Sequence, residues 1–340
     1  MKPSEEKILL SHGNGGRMMH DLITDLFVKH FGNTILNQQT DAAILPVDSQ
    51  EMAFTTDSFV IDPLFFPGGD IGKLAVCGTV NDLAVSGADP CYISVSFIIE
   101  EGFPMKELEL IVKSLAKEAL KAKVSIVTGD TKVVNKGKCD KLFINTAGIG
   151  KVRKENRLVS KARNIKSGDL IIINGTIGDH GMAVMNARES FNFRTPVLSD
   201  CASLNFLISE VMDQSSTVKF MRDPTRGGVA TVLDELAGKI NQGIEIDESM
   251  LPVSKGVKAM CELLGFDPLH IANEGKVLMV AGQRQSQSIL EIMKKNRLGK
   301  HSAIIGRIVK DHPGRVVMKT ITGGRRIIDT LTGDPLPRIC

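Results

Sequence analysis

Two periodicities alternate along the chain and set the first expectation. "MAFTTDSFVI", residues 52–61, reads as a strand. "DIGKLAVCGTVNDLAVSGA", residues 70–88, is small and apolar almost throughout and predicts a helix. "CYISVSFII" (91–99) predicts a second strand, and "PMKELELIVKSLAKEALKA" (104–122) an amphipathic helix. "VSIVTG" (124–129) and "KLFINTAGIG" (141–150) predict two further strands. Around "KVRKENRLVSKARNIKSGD", residues 151–169, the chain turns basic and loses its apolar periodicity, which marks a domain boundary. A second α/β unit follows, with strands in "LIIIN" (170–174), "KVLMVAG" (276–282) and "AIIGRIV" (303–309) and a helix in "GGVATVLDELAGKI" (227–240). No short fixed-period repeat interrupts this pattern. Past about residue 325 turn residues and prolines accumulate, and a tail is expected.

The expected division is a glycine-rich segment and helix at 1–40, an N-terminal α/β domain at 41–155, a C-terminal α/β domain at 156–325 and a tail at 326–340. A length of 340 residues suits two domains, and 42% hydrophobic with 24% charged residues is a globular composition. The net charge is only +3, there is no Trp, and Tyr92 is the single tyrosine. Nucleic-acid binding, which needs a basic stripe and stacking aromatics, is therefore not expected. No apolar run reaches membrane-spanning length, and the start "MKPSEEKILL" lacks a signal-peptide core, so the expected location is cytoplasmic. Six cysteines form no CxxC pair and no group with His, so zinc-site spacing is absent. Cys77 and Cys91 sit in apolar stretches and read as core thiols. Cys340, behind "TGDPLPRI", lies where nothing in the sequence buries it. It reads either as a frayed terminus or as a reactive thiol, and it is not four from the end as prenylation requires.

No GxxxxGK[ST] and no dinucleotide GxGxxG occur, so a nucleotide would have to be held differently. In "SHGNGGRMM" (11–19), Gly13, Gly15 and Gly16 could offer backbone N–H groups to phosphates, or form only a flexible turn. Five aspartates carry more information: Asp41, Asp57, Asp82, Asp130 and Asp223 each interrupt an apolar stretch or open a turn at its end. Asp82 stands inside an otherwise apolar helix, where an unpaired carboxylate costs several kcal/mol. Each alone could be a capped or paired structural residue. Together they suit a hard divalent cation bridging phosphates, and magnesium fits. Lys132, two residues after Asp130, could balance phosphoryl charge or be a solvated loop lysine. Gly175, Gly178 and Gly181 in "NGTIGDHG" suit a tight turn or an anion-binding helix start. Glu274 in "ANEG" reads either as a turn residue or as a catalytic base, and His180 and His270 read as structural.

"HGNGG", "TDAAIL", "FTTDSFV", "CGTVNDLAVSGA", "TGDTKVV", "RDPTRGG", "ANEG" and the terminal "PRIC" together resemble the HypE family, the carbamoyl dehydratases of nickel–iron hydrogenase maturation. That family lies within the superfamily of aminoimidazole ribonucleotide synthetase and selenophosphate synthetase. The likeness runs in order from residue 11 to residue 340, and departs at Ser11, where glycine is expected. It implies an α/β, two-domain ATP-binding fold of the aminoimidazole ribonucleotide synthetase type, with a flexible C-terminal tail and an open sheet that pairs in a homodimer. It implies ATP and Mg2+ in the interdomain cleft, with Asp41, Asp57, Asp82 and Asp223 on the metal and Asn81, Asp130 and the three N-terminal glycines on the nucleotide. Cys340 would receive a carbamoyl group from HypF and enter the cleft. ATP-dependent dehydration would leave an S-cyano group, a thiocyanate, for the HypC–HypD complex. Phosphorylating the amide oxygen turns a poor leaving group into phosphate, and a base must take the nitrogen protons. Glu274 is the expected base and Lys132 the charge balancer or relay, with exchange of these roles open. The stretch from Gly333 to Cys340 can span at most about 25 Å, enough to swing between surface and cleft. The competing readings are a selenophosphate synthetase-like kinase, which would want a reactive Cys near the N-terminus, and a non-enzymatic thiol carrier.

Overall fold

The alternating run becomes strand β1 (Met52–Phe59), whose pleat turns Thr55, Asp57 and Phe59 to one face and Phe54, Thr56 and Ser58 to the other. The computed structural model describes residues 7–9, 21–34, 36–38, 51–156, 159–189, 197–331, 336 and 338–340. Ahead of β1, helix α1 is π-wound over Ile23–Val28 and closes at Lys29–Phe31. A two-stranded ribbon, β2 (Phe65–Phe66) and β3 (Gly69–Asp70), leads into helix α2 (Ile71–Val85). Then come β4 (Ala88–Glu100), α3 (Met105–Ala122), β5 (Ser125–Val134) and β6 (Leu142–Val152). The first sheet has the order β1-β6-β4-β5, with only β4 and β5 parallel.

Helix α2 is buried nearly all round, which explains why its sequence has no polar face. Asp70 caps its start, accepting from the N–H groups of Gly72 and Lys73 at 2.8 and 3.1 Å. Helix α3 behaves as its pattern predicts: Leu108, Ile111, Val112, Leu115 and Ala119 face the core at helical spacing. Both helices lie on one side of the sheet. The other side is left open among the described residues, with Phe54 71% and Ile98 41% exposed.

The second domain is built on a seven-stranded sheet, taken in chain order as β7 (Leu170–Ile173), β8 (Val218–Arg222), β9 (Gly243–Asp247), β10 (Leu278–Ala281), β11 (Ala303–Val309), β12 (Val316–Lys319) and β13 (Arg325–Ile328). Its spatial order is β13-β12-β9-β11-β7-β10-β8, antiparallel except for β9 with β12. Its helices are α4 (Asp179–Glu189), α5 (Asn205–Gln214), α6 (Gly228–Ile240), α7 (Lys255–Leu264) and α8 (Gln283–Lys295). Helix α6 packs on one face, while α5 and α8 cover part of the other.

The two units share their cores. Ala84 and Val85 of α2 pack with Leu204, Leu207 and Ile208, and the first core also takes in Met182, Ala183 and Ile271. The basic stretch at 151–169 contains a pinned segment. Arg153 makes a two-pronged pair with Asp89 at 2.8 and 2.9 Å and also bonds Asp213 of α5, and Val159 is buried.

In this structure the described end of the tail is docked. Leu336 and Ile339 are buried, the Asp62 N–H donates to the Arg338 carbonyl at 3.2 Å, and the Val60 N–H donates to the main-chain oxygen of Cys340 at 3.0 Å. Arg338 pairs with Asp140 at 2.5 Å. Two apolar side chains three residues apart are too few to show as periodicity, so turn composition alone suggested a tail without core contacts.

Candidate functional site

The site assembles where β1, α2 and the turn after β8 meet. Asp57 projects from the helix-facing side of β1, and α2 approaches it at a glycine. A Cβ on Gly78 would lie 3.2 Å from Asp57 Oδ2 and 2.9 Å from the Phe59 ring. Asp82, on the last turns of α2, accepts a hydrogen bond from Thr55 Oγ1 at 2.9 Å. Asp223 follows β8 directly. A cavity of about 390 Å³ opens here, with Thr55, Asp82, Ser86, Arg222, Asp223 and Lys239 in its wall.

These carboxyl groups repel one another. Burial and then the Asp82 charge push Asp57 up to about 6. Burial and then Asp82 push Asp223 up to about 7, and burial raises Asp82 itself. The Arg226 charge works against the rise at Asp57. Glu274 is buried behind them, raised well above the usual carboxylate range by burial first and then by Asp223, Asp200 and Asp57. Its Oε1 is buried without a hydrogen-bond partner. Its backbone is clamped: Asp200 accepts from the N–H groups of Glu274 and Gly275 at 3.2 and 3.1 Å and from Lys276 Nζ at 2.8 Å. That lysine holds the Asp200 carboxyl below its usual range against the opposing pull of burial.

The structure thus brings Asp57, Asp82, Asp223 and Glu274 together. Gly13, Gly15, Gly16 and Asp41 lie outside the described residues. The Asn81 side chain is hydrogen-bonded within the protein. Its amide donates to the carbonyls of Ala202 and Glu274 at 3.1 and 3.3 Å and accepts from the Leu204 N–H at 2.8 Å, so it braces the loops around Glu274. Asp130 and Lys132 are not part of this cluster. Thr131 between them is buried, so strand alternation sends both to the opposite, open face of the first sheet, where Lys132 Nζ lies 4.0 Å from Asp130.

Sequence reading missed Asp200, Lys276 and Arg226, and read His180 as structural. Arg226 and Lys276 stood beside quoted residues in "RDPTRGG" and "ANEGK", and that adjacency was the available signal. Asp200 lies 74 residues before Glu274, and only folding joins them. His180 is buried against the docked tail, where its Nε2 meets the Ile339 carbonyl.

Among the described residues no three His, Cys, Asp or Glu side chains form a ready-made metal site. Magnesium carried on nucleotide phosphates keeps several waters and needs only one or two protein carboxylates. An all-oxygen set whose negative charge Arg222 and Arg226 offset only in part fits such an ion.

Comparison with known proteins defines the class and then the family. Residues 39–152 match the model of the AIR synthase related protein N-terminal domain, and 166–319 match that of the C-terminal domain. The fold and its cleft are therefore those of the AIR synthase related proteins. The carbamoyl dehydratase HypE of Bradyrhizobium diazoefficiens is 48% identical over 332 residues, covering 97% of this chain and 95% of that one. A crystal structure of the hydrogenase maturation protein HypE in complex with ATP aligns at a TM-score of 0.93, with 44% identity, 98% of this chain and 99% of that one. The HypE of a HypE–HypF complex aligns at 0.79, with 50% identity, 91% of this chain and 99% of that one. The chain belongs to the HypE family of carbamoyl dehydratases. No helix of its described residues is long and apolar enough to cross a membrane.

Proposed function

We propose that this chain dehydrates a carbamoyl group carried on the Cys340 thiol, with ATP as the phosphoryl donor, and so makes the S-cyano group that becomes a hydrogenase cyanide ligand. The observation that carries this reading is the position of the docked tail. Val60 N–H holds the main-chain oxygen of Cys340 three residues beyond Asp57 on the same segment, a reach of about 10 Å along an extended chain. The family likeness, with relatives solved bound to ATP and to HypF, supports the same chemistry.

In the balanced reaction the amide oxygen of the thiocarbamate takes a phosphoryl group from ATP, and the two N–H protons leave. The C–O bond then breaks to release phosphate and leave S–C≡N. Asp57, Asp82 and Asp223 would hold Mg2+, with Asp41 as the fourth expected ligand; the ion would neutralise phosphate charge. Glu274 is the group we assign to the proton step, because its orphaned buried oxygen faces the cluster's field. Burial and then the neighbouring negative charge favour its protonated form, and reducing that charge favours the carboxylate that accepts a proton. Lys132 lies on the open face of the first sheet, so a part for it in charge balance or proton relay would be played across the proposed homodimer contact.

We further assign the open face of the first sheet, with exposed Phe54 and Ile98, to a homodimer contact. HypF is the proposed carbamoyl donor and HypC–HypD the proposed acceptor, in the cytoplasm. A mass spectrum of the C-terminal peptide after incubation with HypF, carbamoyl phosphate and ATP tests the proposal. A carbamoyl adduct that becomes lighter by one water is the expected result; an adduct that persists unchanged while ATP is intact leaves only a thiol carrier.

A further inference from the structure

The tail is held by a hydrogen-bond relay that no part of the reaction above uses. His180, the second residue of α4, is fully buried, with its ring edge-on to Phe66 at 5.3 Å between centroids. Its Nε2 meets the carbonyl oxygen of Ile339, and its Nδ1 lies 2.8 Å from Ser199 Oγ. Ser199 Oγ in turn accepts from the Cys201 N–H at 3.1 Å. A carbonyl oxygen can only accept, so Nε2 carries the ring proton. Ser199, already accepting from Cys201, directs its one hydrogen to Nδ1. The chain of donors therefore runs from Cys201 N–H to Ser199 O–H to His180 and ends on the tail, and it selects one tautomer of the neutral ring. Burial holds the His180 pKa below its usual value, which keeps the ring in that neutral form.

The surroundings are shaped for the same purpose. A Cβ on Gly181 would lie 2.5 Å from Ile271 and 3.1 Å from Leu336, so a side chain there would keep the tail from settling. At the other end of α4, Arg188 donates to the Asp62 carbonyl at 2.9 Å and to the Arg338 carbonyl at 2.7 Å. One helix thus grips the successive tail carbonyls of Arg338 and Ile339, while Val60 holds Cys340. All these bonds go to main-chain atoms, and none of them uses the thiol of Cys340.

We propose that His180 is a positioning residue that latches the docked tail, holding Cys340 in the cleft for dehydration and having to release it for carbamoyl loading. This rests on the reading that Cys340 carries the carbamoyl group. The latch acts on an equilibrium between docked and free tail, so weakening it moves two rates in opposite directions.

The test compares the parent with His180→Phe, which keeps an aromatic ring but removes the donor, and His180→Gln, which restores an N–H at nearly the Nε2 position. The rate at which iodoacetamide alkylates Cys340 is read by mass spectrometry of the C-terminal peptide. We expect it to rise about tenfold in His180→Phe, the effect of one lost hydrogen bond at a buried carbonyl. Single-turnover dehydration of a preloaded tail should fall by a similar factor, loading by HypF should hold or quicken, and His180→Gln should recover most of both changes. If His180→Phe does not fold, Ser199→Ala, which frees the tautomer without touching the tail, carries the same comparison with smaller shifts. Parent-like alkylation or parent-like dehydration in His180→Phe overturns the latch. So does an equal loss of loading and dehydration that glutamine fails to rescue, since that is what a purely structural histidine would give. If the parent itself never yields the dehydrated adduct, the carrier reading fails, and the alkylation rates still report on the latch.

Discussion

Replacing Asp223 by Asn isolates the electrostatic cost of the carboxylate cluster. Asp223 is pushed from 3.8 up to about 7 by burial first and then by Asp82, with Asp57 adding to the same effect. A carboxyl whose folded pKa exceeds its unfolded one favours the folded state while protonated. Its contribution is therefore unfavourable above about pH 7 and is progressively relieved as pH falls from 7 towards 3.8. Three pK units correspond to about 4 kcal/mol as an upper bound. The group is partly solvated and shares its proton affinity with two neighbours, so about 2 kcal/mol is the working figure. For a chain of this size that is about 3 °C in Tm. Asparagine has the same shape and no charge, so without divalent cations Asp223→Asn should melt about 3 °C above the parent at pH 8. The gap should shrink to within about 1 °C only near pH 4, because the unfolded carboxyl titrates at 3.8 and most of the cost survives at pH 6. Adding magnesium and ATP should reverse the order, because ligand binding stabilises only the protein that retains the carboxylate. Differential scanning fluorimetry at the two pH values, with EDTA and with magnesium–ATP, reads all of this. A metal-free variant that melts at or below the parent at pH 8 would falsify the repulsion on which the site assignment stands.

Glu274→Gln should bind nucleotide about as well as the parent but form no cyano product, since an amide cannot accept the proton; parent-rate dehydration in single turnover would remove Glu274 from the chemistry. Cys340→Ala should abolish both adducts on the tail peptide while leaving Tm within about 1 °C, because Leu336 and Ile339 provide the buried tail contacts. A cyanated product on Cys139 or any other cysteine in that variant defeats the carrier assignment. Asp200→Ala strands the buried Lys276 charge and two backbone N–H groups, and should cost about 3–5 kcal/mol in urea unfolding. A loss under about 1 kcal/mol would mean the pair does not brace Glu274.

Much of the fold was legible because its signals are local. The strand at 52–59, the amphipathic α3 and the buried α2 each declare themselves within one window of sequence. Asp82 was legible for a related reason: a carboxylate among apolar residues of a buried helix needs an explanation that its neighbours cannot supply. What stayed hidden depends on contacts between distant segments. Asp200 becomes a brace only when it meets Glu274 and Lys276, and His180 becomes a tail contact only when Ile339 folds onto it, 159 residues away. Lys132 illustrates the opposite case. Its proximity to Asp130 in sequence was real, but strand alternation directs both to the face away from the cleft. The basic stretch after β6 did not announce that its Arg153 guanidinium is engaged by two aspartates from distant segments.

Helix α2 is a shared wall: its first turns belong to the core of one unit, and its last residues pack on α5 of the other. The two matched halves are therefore unsuited to recombination. A C-terminal half taken from a distant relative would need a surface moulded to this particular helix, and Asp82 would shift with any misfit. Lineages exchanging such halves would be expected to carry α2 along with the later half, so that the crossover falls before Asp70 and not in the basic stretch after Val152.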